Sequence, residues 1–124
     1  MKSTLTDERF SGYCVFCGKP CNTEHHLIFG RGIRQLAEED GLKITACNEC
    51  HVTGKKETRI HDNPMAEKLS KMLGQMAYER DRCADGMSKS DARESFRMRY
   101  GRSFLLERNL RSEDDFSETG HSRV

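Results

Sequence analysis

Tryptophan is absent from this 124-residue chain, proline occurs twice, and only 35% of residues are apolar while 33% are charged. So thin an apolar content cannot build a thick core, and the hydrophobic effect alone is a weak means of holding so polar a chain together. A metal staple would close that gap. No apolar stretch approaches the length that crosses a bilayer, and the opening MKSTLTDERF lacks the apolar region of a secretory signal. The expected setting is the cytoplasm, with no membrane contact. Net charge is scarce too, at +1, where nucleic-acid binders are usually plainly basic. That average conceals a division. Residues 51–111 hold 14 Lys/Arg against 9 Asp/Glu, and residues 112–124 one Arg against four acids, so the basic part can still meet phosphate.

What is present in excess is cysteine, six residues of it. In a reducing compartment these are poorly explained as three disulfides, and Cys-x-x-Cys pairs there more often hold a metal. Cys14-x-x-Cys17 and Cys47-x-x-Cys50 each offer two corners of a tetrahedral zinc site. Cys21 is a spare that can replace one ligand, and Cys83 a packing or surface thiol. Between Cys17 and Cys47 lie 29 residues, more than a compact zinc ribbon needs. Something else is housed between the pairs.

A chain of this length has room for one domain. Residues 1–12 read as a flexible lead-in, 13–106 as the zinc domain with a C-terminal helical extension, and 107–124 as a disordered acidic tail. YCVFCGKPCN reads as a knuckle turning at Gly18 and Pro20, with Tyr13, Val15 and Phe16 packed around it. The run from His26 to Phe29 and the stretch Leu42 to Ala46 suit two short strands. Ile33 to Asp40 suits a helix ended by Gly41, and a longer helix starts at Pro64 with Asp62 or Asn63 as its cap. There Met65, Leu69, Met72, Leu73 and Met76 follow helical spacing and read as core. A last helix from about Ser88 to Tyr100 buries Ala92, Phe96 and Tyr100 and turns Arg93, Arg97 and Arg99 elsewhere. Knuckle, hairpin and helix start follow one another as in a treble-clef finger. The expected fold is therefore α+β, a small zinc-bound treble-clef core with C-terminal helices.

Four of the five histidines, at 25, 26, 51 and 61, lie in or just beyond the cysteine-bounded segment. Of His25 and His26, one imidazole can hold a metal while the other deprotonates water, a task that suits a pKa near 6.5. Strict strand alternation sends the two rings to opposite faces, so a shared site needs an irregular or twisted strand. His51 follows Cys50; adjacent helical side chains diverge by about 100°, so it faces a site other than the sulfurs. His61 completes the metal shell if the chain after Gly54 folds back. Arg31, Arg34, Lys55, Lys56 and Arg59 stand near this centre as candidate phosphate contacts.

The string Cys14-x-x-Cys17, Glu24-His25-His26, Cys47-x-x-Cys50-His51 resembles the HNH (ββα-metal) endonuclease superfamily, including small prophage-encoded members found among phage recombination and replication proteins. The likeness spans residues 13–61 and extends through FRMRYGRSFLL at 96–106. It implies a DNA endonuclease in which His26 is the general base, assisted by Glu24, and His25 and His51 bind a catalytic divalent metal such as Mg²⁺, Mn²⁺ or Ni²⁺ alongside the structural Zn²⁺. One departure stands out. Members usually carry Asn five residues before the third cysteine to hold the base, and here that residue is Leu42. Either another group orients His26, or activity is slow, or the fold is kept for binding. The competing readings are a non-catalytic treble-clef module acting as a recombination or DNA-binding accessory, and a redox switch at Cys14 and Cys17.

Overall fold

The computed structural model describes residues 2–106, so the acidic tail expected beyond residue 106 lies outside the described residues. The fold is α+β: a two-stranded antiparallel sheet of β1 (Glu24–His26) and β2 (Lys43–Thr45), and three helices, α1 (Ile33–Asp40), α2 (Pro64–Ala84) and α3 (Lys89–Tyr100). The strands are shorter than the apolar runs suggest. Register pairs Glu24 with Thr45, His25 with Ile44 and His26 with Lys43. Beyond the ladder, the Leu27 N–H still donates to the Leu42 carbonyl at 2.9 Å, but Leu27 and Ile28 are fully buried beneath α2 rather than extending the sheet.

Each helix has a local cause for its ends. Gly41 takes φ 72°, the left-handed conformation that closes α1, and Gly101 does the same for α3 at φ 89°. Asn63 accepts the Ala66 N–H ahead of Pro64, and Ser88 accepts the Asp91 N–H, each supplying a partner for a first-turn donor.

The principal core joins Leu27, Ile28, Ala37, Leu42 and Ile44 to Ala77, Tyr78, Phe96 and Tyr100. Contrary to the sequence pattern, the Met-rich stripe of α2 is not in it: Met65 is 75% exposed and Leu69 64%, with Leu73 and Met76 also exposed. Gly74 explains the reversal. A Cβ there would lie 2.7 Å from Ile28 Cγ1 and 3.0 Å from Leu27 Cβ, so at this glycine the α2 backbone lies directly against Leu27 and Ile28. At about 100° per residue, positions 65, 69, 72 and 76 fall on the side opposite residue 74. The face turned inward carries Ser70, Gly74, Gln75, Ala77 and Tyr78.

Arg93 is a second correction. It is buried, with its Nε 2.6 Å from Glu79, because α2 covers the α3 face that sequence periodicity turned outward. Arg99 and the Tyr100 hydroxyl both bond to Asp40, at 2.7 and 2.5 Å, tying α3 to α1. Gln75 accepts the Phe104 N–H and donates to Ser103 Oγ, holding the segment after α3 against α2. Residues of the lead-in are also tied down, with Ser3 donating to the Lys43 carbonyl and the Thr4 N–H to the Gly41 carbonyl.

Candidate functional site

Cys14, Ala46 and Cys47 form a small second cluster, with Cys21 and Cys50 against it. The knuckle is closed by the Gly18 N–H donating to the Cys14 carbonyl and the Cys14 N–H to the Lys19 carbonyl, while Gly18 takes φ 79°. The Phe16 N–H points at Cys14 Sγ, 3.4 Å away. Tyr13, Val15 and Phe16 do not pack around the sulfurs as expected; they are exposed, Phe16 at 57%, because the knuckle sits at the surface, where Cys14 is buried and Cys17 is itself exposed.

The four sulfurs of Cys14, Cys17, Cys47 and Cys50 lie within 4.8 Å of one another and can hold a metal such as zinc. Cys17 Sγ and Cys47 Sγ stand 3.7 Å apart, against about 3.8 Å for two corners of a tetrahedral site with 2.3 Å Zn–S bonds. Burial resists ionisation of the Cys14 thiol, but hydrogen bonds from the backbone of Cys47, Cys17 and Phe16 outweigh it and draw its pKa down to about 6. Burial and the neighbouring thiols push Cys50 up to about 12. A divalent cation held by the four sulfurs would favour their thiolate forms. Cys21 is half-buried beside the cluster but outside the four-sulfur group, and Cys83 is half-buried in the last turn of α2.

The second convergence is of imidazoles. The strand turns His25 to the face opposite Glu24 and His26, where it is 1% exposed. After Cys47 the chain makes a single π-helical turn, Glu49–Thr53, which separates the direction of His51 from that of Cys50. The loop beyond Gly54 then returns: the Ile60 N–H donates to the Cys50 carbonyl and the His61 N–H to the His51 carbonyl. Arg59 staples this loop, donating to the carbonyls of His61 and Gly54 and to Asp62. As a result the ligand nitrogens of His25, His51 and His61 also lie within 4.8 Å of one another. The Nε2 atoms of His51 and His61 are 3.0 Å apart, close to the roughly 3.3 Å separating two nitrogens on one tetrahedral ion at 2.0–2.1 Å. Burial, then the charges of His51, His61 and His26, pushes His25 down to about 3; burial also lowers His51. Neutral imidazoles are the form that ligates a cation.

A cavity of about 640 Å³ opens on this trio and is lined by Glu24, His25, His26, Gly32, Arg34, His51 and His61 among others. His26 therefore shares a cavity with His25 although the two leave the strand on opposite faces. Its Nε2 is 2.7 Å from Glu38 Oε1. The His26 bond first, and Lys43 next, hold the Glu38 carboxyl down to about 2, so it is ionised and can only accept. Nε2 must then carry the proton, leaving the Nδ1 lone pair of His26 as the basic nitrogen. Buried Lys43 bridges Glu38 and Glu24, at 3.0 and 3.2 Å.

Of the five cations expected to meet DNA, Arg34 lines the cavity, and Arg31, Lys55 and Lys56 are exposed outside it. Arg59 is instead spent on the loop. Sequence reasoning missed Glu38 and Lys43, whose link to His26 depends on the sheet register and on where α1 packs. It also missed two α2 side chains. Ser70 Oγ is 2.8 Å from His25 Nε2, and Glu67 Oε2 is 3.5 Å from His61 Nδ1. No family model, curated protein or solved structure matches the chain. Among the described residues no helix is long and apolar enough to cross a membrane.

Proposed function

We propose that the chain is a metal-dependent DNA endonuclease of the HNH type, built on a treble-clef finger whose four cysteines hold zinc. The observation that carries this reading is the meeting of His25, His51 and His61 at the floor of a cavity that His26 also lines. On this reading its work lies in phage or prophage DNA metabolism, beside recombination or replication proteins, as for the small proteins its motif resembles.

The imidazole trio would hold the second ion, which when bound supplies positive charge to the scissile phosphate and the leaving oxygen. His26 takes the proton of the attacking water at Nδ1, a role suited to an imidazole held at fixed orientation. Glu38 fixes that orientation and the tautomer by accepting from Nε2. It thus does the work assigned to the missing Asn, and Leu42 is free to be core, where it is fully buried. Arg34 offers a charge to backbone phosphate at the cavity wall. Glu24 is engaged by Lys43 and assists by holding the buried ammonium that in turn anchors Glu38.

Nicking of supercoiled plasmid in Mg²⁺, Mn²⁺ or Ni²⁺ tests the proposal. His26→Ala is expected to lose about 10²–10⁴-fold in rate and Glu38→Ala about tenfold or more, both with zinc content unchanged. A wild-type protein that binds a second ion yet never nicks DNA would instead support the non-catalytic module.

A further inference from the structure

The Ser70 hydroxyl is buried between two acceptor-capable neighbours. Its oxygen lies 2.8 Å from the Leu27 carbonyl and 2.8 Å from His25 Nε2. A carbonyl can only accept, so the single hydroxyl proton belongs to Leu27; His25 must then donate its Nε2–H to the Ser70 lone pair. That leaves His25 Nδ1 as the nitrogen with a free lone pair. On the far side of the cluster Glu67 faces His61 Nδ1 and also accepts the Asp62 N–H at 3.0 Å, so it is itself held in place. His61 Nε2 is turned toward His51. Metal-binding histidines are generally oriented by a partner on the other ring nitrogen, and both partners here come from α2, one turn apart.

We propose that Ser70, with Glu67 beside it, is a positioning residue of the metal centre: α2 selects the donor atoms, Nδ1 of His25 and Nε2 of His61, through the Ser70 hydroxyl bonded to His25 Nε2 and the Glu67 carboxylate facing His61 Nδ1. The inference rests on the reading of the imidazole trio as a metal site. It gives α2, which lies outside both cysteine pairs, a direct part in building that site. Gly74 lets α2 pack directly on Leu27 and Ile28, which follow β1, and Ser70, one turn earlier on α2, lies within reach of His25.

Two measurements test it on the zinc-loaded full chain. First, ¹⁵N-edited NMR of the imidazoles before a second ion is added is expected to show His25 as the Nε2–H tautomer in wild type and a tautomer mixture in Ser70→Ala. Second, calorimetric titration with Ni²⁺ is expected to show about 10- to 100-fold weaker binding in Ser70→Ala, with Ser70→Thr, which keeps the hydroxyl, restoring most of the loss. The zinc content and circular dichroism of each variant guard against a folding defect. If wild type takes up no second ion, the metal reading fails and this proposal fails with it. If wild type binds and Ser70→Ala binds equally well, or if His25 carries its proton on Nδ1, this proposal alone is overturned.

Discussion

His25 concentrates the conflict between burial and chemistry at the scale of one residue. It is almost wholly inaccessible, yet it is a titratable group set among two other imidazoles. Burial first, and the neighbouring histidines next, push its pKa down to about 3, while in the unfolded chain it returns to about 6.5. Between those values the unfolded chain binds a proton that the native state refuses. The stability contributed by keeping this ring neutral is therefore complete above about pH 6.5 and is lost as pH falls toward 3. In protein free of a second ion, the urea midpoint should fall steadily from pH 7 to pH 4.5, and the slope should flatten in His25→Gln. A wild-type midpoint independent of pH across that window would count against the assigned burial. At His26 the corresponding decision is made by Glu38, whose ionised carboxylate fixes which nitrogen is basic.

Among the elements, α2 departs furthest from its sequence pattern, and the cause is steric rather than hydrophobic. Its large apolar side chains at 65, 69, 73 and 76 would bury more area than Ser70, Gly74 and Ala77, but only the small residues allow the backbone to meet Leu27 and Ile28 closely. Gly74→Ala makes the trade measurable. Alanine gains about 1 kcal/mol in helix propensity over glycine, whereas forcing a methyl into a packed contact costs about 1–3 kcal/mol. Ile28 Cγ1 and Leu27 Cβ are not the free ends of flexible chains, so the clash should prevail and the thermal midpoint should drop. The same variant should weaken Ni²⁺ binding at the imidazoles, because it moves Ser70 away from His25. A midpoint at or above wild type would mean that α2 can lift without cost.

Across the whole molecule, two separate interiors are joined through the short sheet. One is the helical core of Phe96, Tyr78, Leu27 and their neighbours; the other is little more than the cysteines and Ala46. The second has too little apolar area to hold the knuckle against the sheet, where the Val15 N–H meets the Thr45 carbonyl at 2.9 Å. An ion held by the four cysteines would be able to do so, and its binding free energy would become folding free energy for that half of the chain. Purified protein should carry one tightly held zinc per chain at this cluster. Cys47→Ser should lose it and melt at lower temperature, with the helical signal of α2 and α3 falling less than the protection of amides near β1 and β2. Full retention of zinc and midpoint in Cys47→Ser would remove the cysteines from the architecture.

The amino-acid sequence by itself determined the parts governed by neighbours in the chain. Gly41 and Gly101 end helices because their backbones turn left-handed, Asn63-Pro64 and Ser88 begin them through caps, and the Cys-x-x-Cys spacings present sulfurs in pairs. The histidines of interest were legible as a cluster for the same reason: three sit next to strand or cysteine landmarks. Tertiary structure decided what local pattern cannot encode. Periodicity marks an apolar stripe on α2 but not which face another element will approach, and Gly74 gave that place to the smaller residues. Nor does the order of residues reveal that Glu38 reaches His26 or that Ser70 reaches His25 across 45 positions. Hydrogen bonds of that kind depend on where separate elements come to rest, and only the packed chain fixes that.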